Sequence, residues 1–138
     1  MSEPHSGSCV SGPCALVVDD DNAMAFMVQD MLELMGVEAD IARDGRAAVD
    51  MASAKAYALI LMDIEMPEMD GFDATKAIRA QVSTDVPIVG MTGHLMDAIH
   101  RLGKIAGMDD LITKPFMAGA LCAKLKAVCG DRVALADI

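Results

Sequence analysis

The chain has no tryptophan, one tyrosine and three phenylalanines. Aromatic rings therefore cannot fill its core, and thirteen methionines, with their adaptable thioethers, must take up much of that volume. Positive charge is scarce too. Eleven Lys and Arg against 21 Asp and Glu give a formal net charge of −10. That argues against a nucleic-acid binder, whose affinity comes largely from cations set against phosphates. No apolar run approaches the roughly 20 residues needed to cross a bilayer, and Met1 to Cys14 lacks a hydrophobic signal core. The expectation is a cytoplasmic protein with no membrane segment. The four cysteines, Cys9, Cys14, Cys122 and Cys129, contain no Cys-x2-Cys zinc pair. Cys122 and Cys129 are seven apart, on one face of a helix, and the set reads as reduced thiols.

What is present is a folded composition, 54% hydrophobic and 23% charged over 138 residues, enough for one domain with one core. Residues 1–13, rich in Ser, Gly and Pro, read as a flexible lead-in. From there short apolar runs alternate with helical periodicity. Strands are predicted at 15–18, 37–42, 58–62, 88–92 and 110–113, and helices at 22–36, 44–54, 71–82, 95–106 and 117–129. The domain spans 14–130, and 131–138 is a short tail. Alternation of this kind implies an α/β domain with a parallel sheet. The continuous apolar runs suit central strands covered on both faces, whereas Glu38 and Asp40 mark 37–42 as an edge.

Helical periodicity puts Met24, Met27, Val28, Met31, Leu32 and Met35 on one face of the first helix, directed at the sheet. Gln29, Asp30 and Glu33 point away, as do Ala25 and Phe26. An outward Phe26 is a candidate for docking a partner.

In an open parallel sheet the carboxyl ends of the strands share one rim, where ligands bind. Here the first strand ends in Asp19-Asp20-Asp21, the third in Asp63, the fourth in Thr92, and the fifth just before Lys114-Pro115. Asp20 and Asp63 on neighbouring strands repel without a cation. A set of oxygens with no Cys or His suits a hard divalent ion, with Mg²⁺ the best match. Such an ion lowers the negative potential enough for a phosphoryl donor to approach, and a carboxylate can then act as nucleophile. Lys114 and the Thr92 hydroxyl are suited to hold the transferred oxygens. Asp21 or Asn22, and Asp70, are expected to cap the helices that follow them.

The segments "LVVDDDNAM", "LILMDIEMPEMDGF", "IVGMTGH" and "ITKPF", in this order and spacing, resemble the receiver domains of two-component response regulators from residue 15 to about 129. The resemblance implies a flavodoxin-like (βα)5 fold, with a five-stranded parallel sheet of order 2-1-3-4-5 and helices on both faces. It implies that Asp63 is the phosphoacceptor. It also makes Asp20 a metal ligand with Asp19 secondary to it, and has Glu65 lend its backbone carbonyl to the Mg²⁺. Thr92 and Lys114 engage the phosphoryl group, and Lys114–Pro115 is a cis bond. Asp70 and Gly71 belong to the turn and helix start.

By the same resemblance the phosphodonor is a histidine kinase or a histidine phosphotransfer protein that meets the first helix. A downstream phosphorelay protein is a possible further partner, and the chain is a monomer or weak dimer. It would be a signalling phosphoacceptor acting as a single-domain regulator or a phosphorelay intermediate, not a conventional enzyme.

Leu111 departs from the pattern. Many receivers have an aromatic residue three positions before the Lys-Pro pair, and a Leu there implies a muted conformational change in 95–106 and 110–113. Glu65 and His94, which flank the pocket, are expected to pair across its mouth as a pH-sensitive gate. Among rivals, an aspartate-nucleophile phosphatase needs an Asp-x-Asp motif after its first strand, but Asp63 is followed by Ile64-Glu65-Met66. A flavodoxin's phosphate loop would be repelled by Asp19-Asp20-Asp21. The remaining alternative is a phosphorylation-independent interaction module on the same fold.

Overall fold

The computed structural model describes residues 13–94 and 96–138. Strands and helices alternate in chain order: β1 (Cys14–Val18), α1 (Asn22–Leu34), β2 (Glu38–Ala42), α2 (Gly45–Ala54), β3 (Leu59–Asp63), α3 (Gly71–Gln81), β4 (Ile88–Thr92), α4 (Asp97–Ala106), β5 (Asp110–Thr113) and α5 (Ala118–Cys129). The strands form one parallel sheet of order β2-β1-β3-β4-β5. Architecture and strand order match the expectation, and element ends differ from it by a residue or two.

The side-chain period of two sends alternate strand residues to opposite faces. Ala15 and Val17 of β1, Leu59 and Leu61 of β3, and Val89 and Met91 of β4 join Val28 and Leu32 of α1 and Leu121 and Leu125 of α5 in one core layer. Leu16, Val18, Ile60, Met62 and Ile88 face the other way and meet Ala48 and Val49 of α2 and Ala74 and Ile78 of α3. With both faces covered, β1, β3 and β4 are buried along their whole length.

The helix starts follow local chemistry. The Asp21 carboxylate caps α1 by accepting from the N–H groups of Ala23 and Met24, Asp44 caps α2 through Ala47, and Asp70 caps α3 through Asp73. Gly107, at φ 109°, ends α4 in the left-handed conformation that favours glycine. The chain after α5 folds back. Val133 is buried in the α1–α5 layer, and the Ala136 N–H donates to the Met35 carbonyl at the end of α1.

The orientation of α1 differs from the expected one. Its buried residues are Ala25, Val28, Gln29 and Leu32, with Met35 buried just beyond the helix; Met27 is 47% exposed. The helix is rotated so that Ala25, small enough for close approach, lies against the sheet. Gln29 can be buried because its amide donates to the Ala39 carbonyl of β2 at 2.7 Å. Apolar count favoured the methionine stripe; close approach and one satisfied hydrogen bond decided otherwise.

β2 is an edge, as expected, although its Asp40 is buried beneath α2, where it accepts from Lys55 Nζ at 3.0 Å and the Tyr57 hydroxyl at 2.7 Å. One further expectation, that all four cysteines are reduced, is corrected. Cys122 and Cys129 are free, buried thiols, as expected, whereas Cys14 is disulfide-bonded to a partner outside the described residues. Sequence spacing carries no information on which sulfurs meet. The lead-in over 1–12 and the first position expected of α4, Leu95, also lie outside the described residues.

Candidate functional site

The site is built where β1, β3, β4 and β5 run out at the same rim. Val18 of β1 is in register with Met62 of β3, so the next residues, Asp19 and Asp63, emerge side by side. Asp63 is paired in turn with Met91, and Thr92 with Thr113. Backbone hydrogen bonds continue past the strand ends and hold the rim. The Asp19 N–H donates to the Ala42 carbonyl, the Ile64 N–H to Met91, and the Lys114 N–H to Thr92 at 2.7 Å. The Lys114–Pro115 peptide is cis.

One carboxylate oxygen from each of Asp19, Asp20 and Asp63 falls within a cluster spanning 4.8 Å. Asp19 and Asp63 are buried, while Asp20 faces solvent. Lys114 Nζ enters from the β5 side, 2.9 Å from Asp63 Oδ1 and 3.4 Å from Asp19 Oδ2. The other Asp19 oxygen accepts from the Asp21 N–H, and Asp63 Oδ1 also accepts from the Glu65 N–H at 3.3 Å. Thr92 is fully buried, its hydroxyl donating to the His94 carbonyl and accepting from the His94 N–H.

Three carboxylates against one ammonium leave the site short of positive charge. Burial pushes the Asp63 carboxyl up to about 6, Lys114 works against that rise, and Asp19 adds to it. Burial also disfavours the Lys114 ammonium, but its two carboxylate partners outweigh this and raise its pKa. An oxygen-only donor set with unbalanced negative charge fits a hard divalent cation such as Mg²⁺. Asp19, Asp20 and Asp63 form the one group among the described residues able to hold such an ion.

The fold thus brings together Asp19, Asp20, Asp63, Thr92 and Lys114 from four strand ends. Glu65 reaches over the rim as well: a Cβ added to Gly93 would sit 3.8 Å from Glu65 Oε1. The hydrogen bonds described for His94 are backbone ones to Thr92, and no Glu65–His94 ion pair occurs among the described residues. Leu111 is buried between β4 and α4; a Cβ on Gly90 would meet it at 2.5 Å, and one on Gly103 at 3.6 Å. Phe26 is half-buried, with the Arg43 guanidinium 5.9 Å from its ring centroid, so part of its outward face is covered.

Gly71 plays a larger part than a helix start. A Cβ there would lie 2.3 Å from the Asp63 carbonyl oxygen and 2.7 Å from Ile64 Cα, and the Gly71 N–H donates to the Ile64 carbonyl. Absence of a side chain lets the first turn of α3 press against the backbone that carries Asp63. The "DG" pair at 70–71 signalled a turn, but nothing local signalled that contact.

Residues 15–126 match the family described as the response regulator receiver domain. The chain is 44% identical over 107 residues to the sensor protein GacS of Pseudomonas syringae pv. syringae, covering 75% of this chain and 12% of that protein. It is 34% identical over 113 residues to the transcriptional regulatory protein CpxR of Escherichia coli K12, covering 82% and 47%. The chain therefore spans less than half the length of either relative. Among solved structures, the receiver domain of the sensor histidine kinase PA1611 from Pseudomonas aeruginosa, with a magnesium ion coordinated in its active-site cleft, aligns at TM-score 0.80 and 32% identity. That alignment covers 88% of this chain and all of the other. The chemotaxis protein CheY4 of Vibrio cholerae aligns at TM-score 0.82 and 32% identity, covering 86% and 99%.

Proposed function

The chain belongs to the response regulator receiver family, signalling phosphoacceptors rather than conventional enzymes, and on that premise we propose that Asp63 takes a phosphoryl group from a phosphohistidine donor. The observation that carries this reading is the Asp63 carboxylate. It ends a fully buried strand, lies against Lys114, and shares a compact acidic cluster with Asp19 and Asp20. An Asp63 oxygen attacks phosphorus, the P–N bond to the donor imidazole breaks, and its electron pair returns to the ring nitrogen. Bound Mg²⁺ supplies charge neutralisation for the incoming phosphoryl oxygens. Asp20 and Asp63, with Asp19 secondary, would hold the ion, and Glu65 would lend its backbone carbonyl. Lys114, already within hydrogen-bonding distance of Asp63, pairs with the transferred group, and the Thr92 hydroxyl turns from His94 to donate to it.

The donor is a histidine kinase or a histidine phosphotransfer protein, met by α1 with Phe26 and Arg43 at its edge. The chain acts as a single-domain regulator or as one station of a phosphorelay, the latter favoured by its likeness to receiver segments of sensor kinases. A cytoplasmic setting goes with this reading, because such donors are charged from ATP. The muted response expected from Leu111 finds support in its packing. The side chain packs against Gly90 and Gly103 and, having no ring or hydroxyl, offers Thr92 no polar partner to follow.

Intact mass after incubation with acetyl phosphate and Mg²⁺ tests the reading. One added phosphoryl group, absent from Asp63→Asn and from metal-free samples, is the expected result. Addition that persists in Asp63→Asn would assign the chemistry elsewhere.

A further inference from the structure

At the opposite end of β3 from Asp63, the carboxyl ends of α2 and α3 enclose a cavity of about 320 Å³. Its apolar walls include Ile60 at the start of β3, Ile78 and Val82 around the end of α3, and Val86 before β4. Lys55, Tyr57 and Ser83 also line it. This volume is at the lower end of small-molecule sites, which combine apolar walls with a few polar groups.

The chain holds 21 Asp and Glu, yet none lines this cavity, and the one charged side chain that does is Lys55. Its ammonium is fixed in place by Asp40 Oδ2, which accepts from it at 3.0 Å, and by the Tyr57 ring, whose centroid is 5.5 Å away. The Tyr57 hydroxyl donates to the same Asp40 oxygen at 2.7 Å. Asp40 thus takes one N–H of the ammonium and leaves it two more to donate. Ser83 supplies a further donor. Its hydroxyl oxygen accepts from the Asp85 and Val86 N–H groups at 3.1 Å each, which occupies both lone pairs and leaves the hydrogen. Helix carboxyl ends carry partial negative charge. At α3 it is met by Arg79, which donates to the Ser83 carbonyl, and at α2 the Lys55 N–H serves the Met51 carbonyl. A full positive charge with spare donors therefore faces the cavity, and charge-assisted hydrogen bonds to an anionic oxygen are the strong ones.

We propose that this cavity binds a small organic acid, an apolar ring or branched body carrying one carboxylate. The apolar part occupies the space between Ile60, Ile78, Val82 and Val86, and the carboxylate accepts from Lys55 Nζ, with the Ser83 hydroxyl as a second donor. Ordering Lys55 costs little on binding, because Asp40 and Tyr57 hold it already. The net charge of −10 repels anions from a distance, but salt screens that repulsion beyond about 8 Å at physiological ionic strength and leaves the direct contact with Lys55. The site is independent of the phosphoacceptor reading.

Phenylacetate and phenethylamine, which share a ring and differ in charge, are the probes. Methyl NMR titration of the full chain at physiological salt reads saturable shifts at Ile60, Ile78 and Val86. Phenylacetate is expected to bind at least about tenfold more tightly than phenethylamine, a difference of about 1.4 kcal/mol. Lys55→Met, which keeps the apolar stem and removes the charge, is expected to abolish that preference. Val82→Phe, at a partly exposed position on the cavity wall, is expected to abolish the phenylacetate shifts. Thermal unfolding establishes that each variant is folded. Should Lys55→Met not be, the double variant Asp40→Asn/Lys55→Met removes both members of the ion pair and takes its place, and the preference of the wild type is a test without either. Equal or reversed preference, a preference that survives in the folded Lys55 variant, phenylacetate shifts that persist in folded Val82→Phe, or no saturation at these methyls overturns the proposal.

Discussion

Asp63→Asn should stabilise this protein at neutral pH in the absence of metal, although it removes the phosphoacceptor. The carboxyl is 2% exposed and its pKa is raised to about 6 from an ordinary 3.8, so its ionised form is disfavoured in the folded state. A carboxyl of raised pKa contributes stability that is fully present below its unfolded value, near 4, and is lost as pH rises through about 6. At pH 7.5 the wild type therefore bears most of a two-unit penalty, about 3 kcal/mol at 1.36 kcal/mol per unit. Imperfect hydrogen bonding of the amide reduces the gain in Asp63→Asn to about 1–2 kcal/mol, the Lys114 attraction being already contained in the raised pKa. Urea unfolding with EDTA at pH 7.5 and pH 3.5 measures it: Asp63→Asn is more resistant at pH 7.5, and the gain disappears at pH 3.5. Saturating Mg²⁺ stabilises the wild type more than the variant and narrows or reverses the difference, since an ion that binds only the folded state adds stability by mass action. A variant less stable than wild type at pH 7.5 without metal, or one with the same gain at both pH values, refutes the reasoning.

Lys114→Ala removes the ammonium that competes with a divalent cation for Asp19 and Asp63; calorimetry should show Mg²⁺ binding strengthened several-fold, while acetyl phosphate labels Asp63 more slowly. Weaker Mg²⁺ binding would contradict the electrostatic account. Gly71→Ala forces a Cβ into the Asp63 and Ile64 backbone and should cost about 3 kcal/mol or more in urea unfolding, at the upper end for overpacking; a loss below about 1 kcal/mol, the usual penalty range's floor, contradicts the close approach. Phe26→Asp is expected to slow transfer from a phosphohistidine protein by about tenfold or more, in the range of an interface hot spot, with acetyl phosphate labelling unchanged. Equal loss by both routes indicates damage to the fold instead.

The sequence by itself determined the order of elements, because each strand and helix is written in local periodicity: continuous apolar runs for β1, β3 and β4, and capping acids at Asp21 and Asp70. It also determined which chemistry is available. The acids, hydroxyl and amine close four strands, and a parallel sheet delivers all strand ends to one rim whatever the loops do. The tertiary structure alone decided how those groups meet. Asp19 is the buried acid beside Asp63 while Asp20 faces solvent, because the β1–β3 register carries Asp19 past Val18 at the level of Asp63. Register between segments more than 40 residues apart has no local signature. The rotation of α1 was equally hidden, since Ala25 and Gln29 are chosen for the core by approach distance and by a carbonyl on β2, neither of which hydrophobicity records. So was Gly71, whose missing Cβ matters only once α3 lies against the residue it follows by eight positions. Local patterning reports what each segment prefers; contacts across the chain depend on distances that no single segment contains.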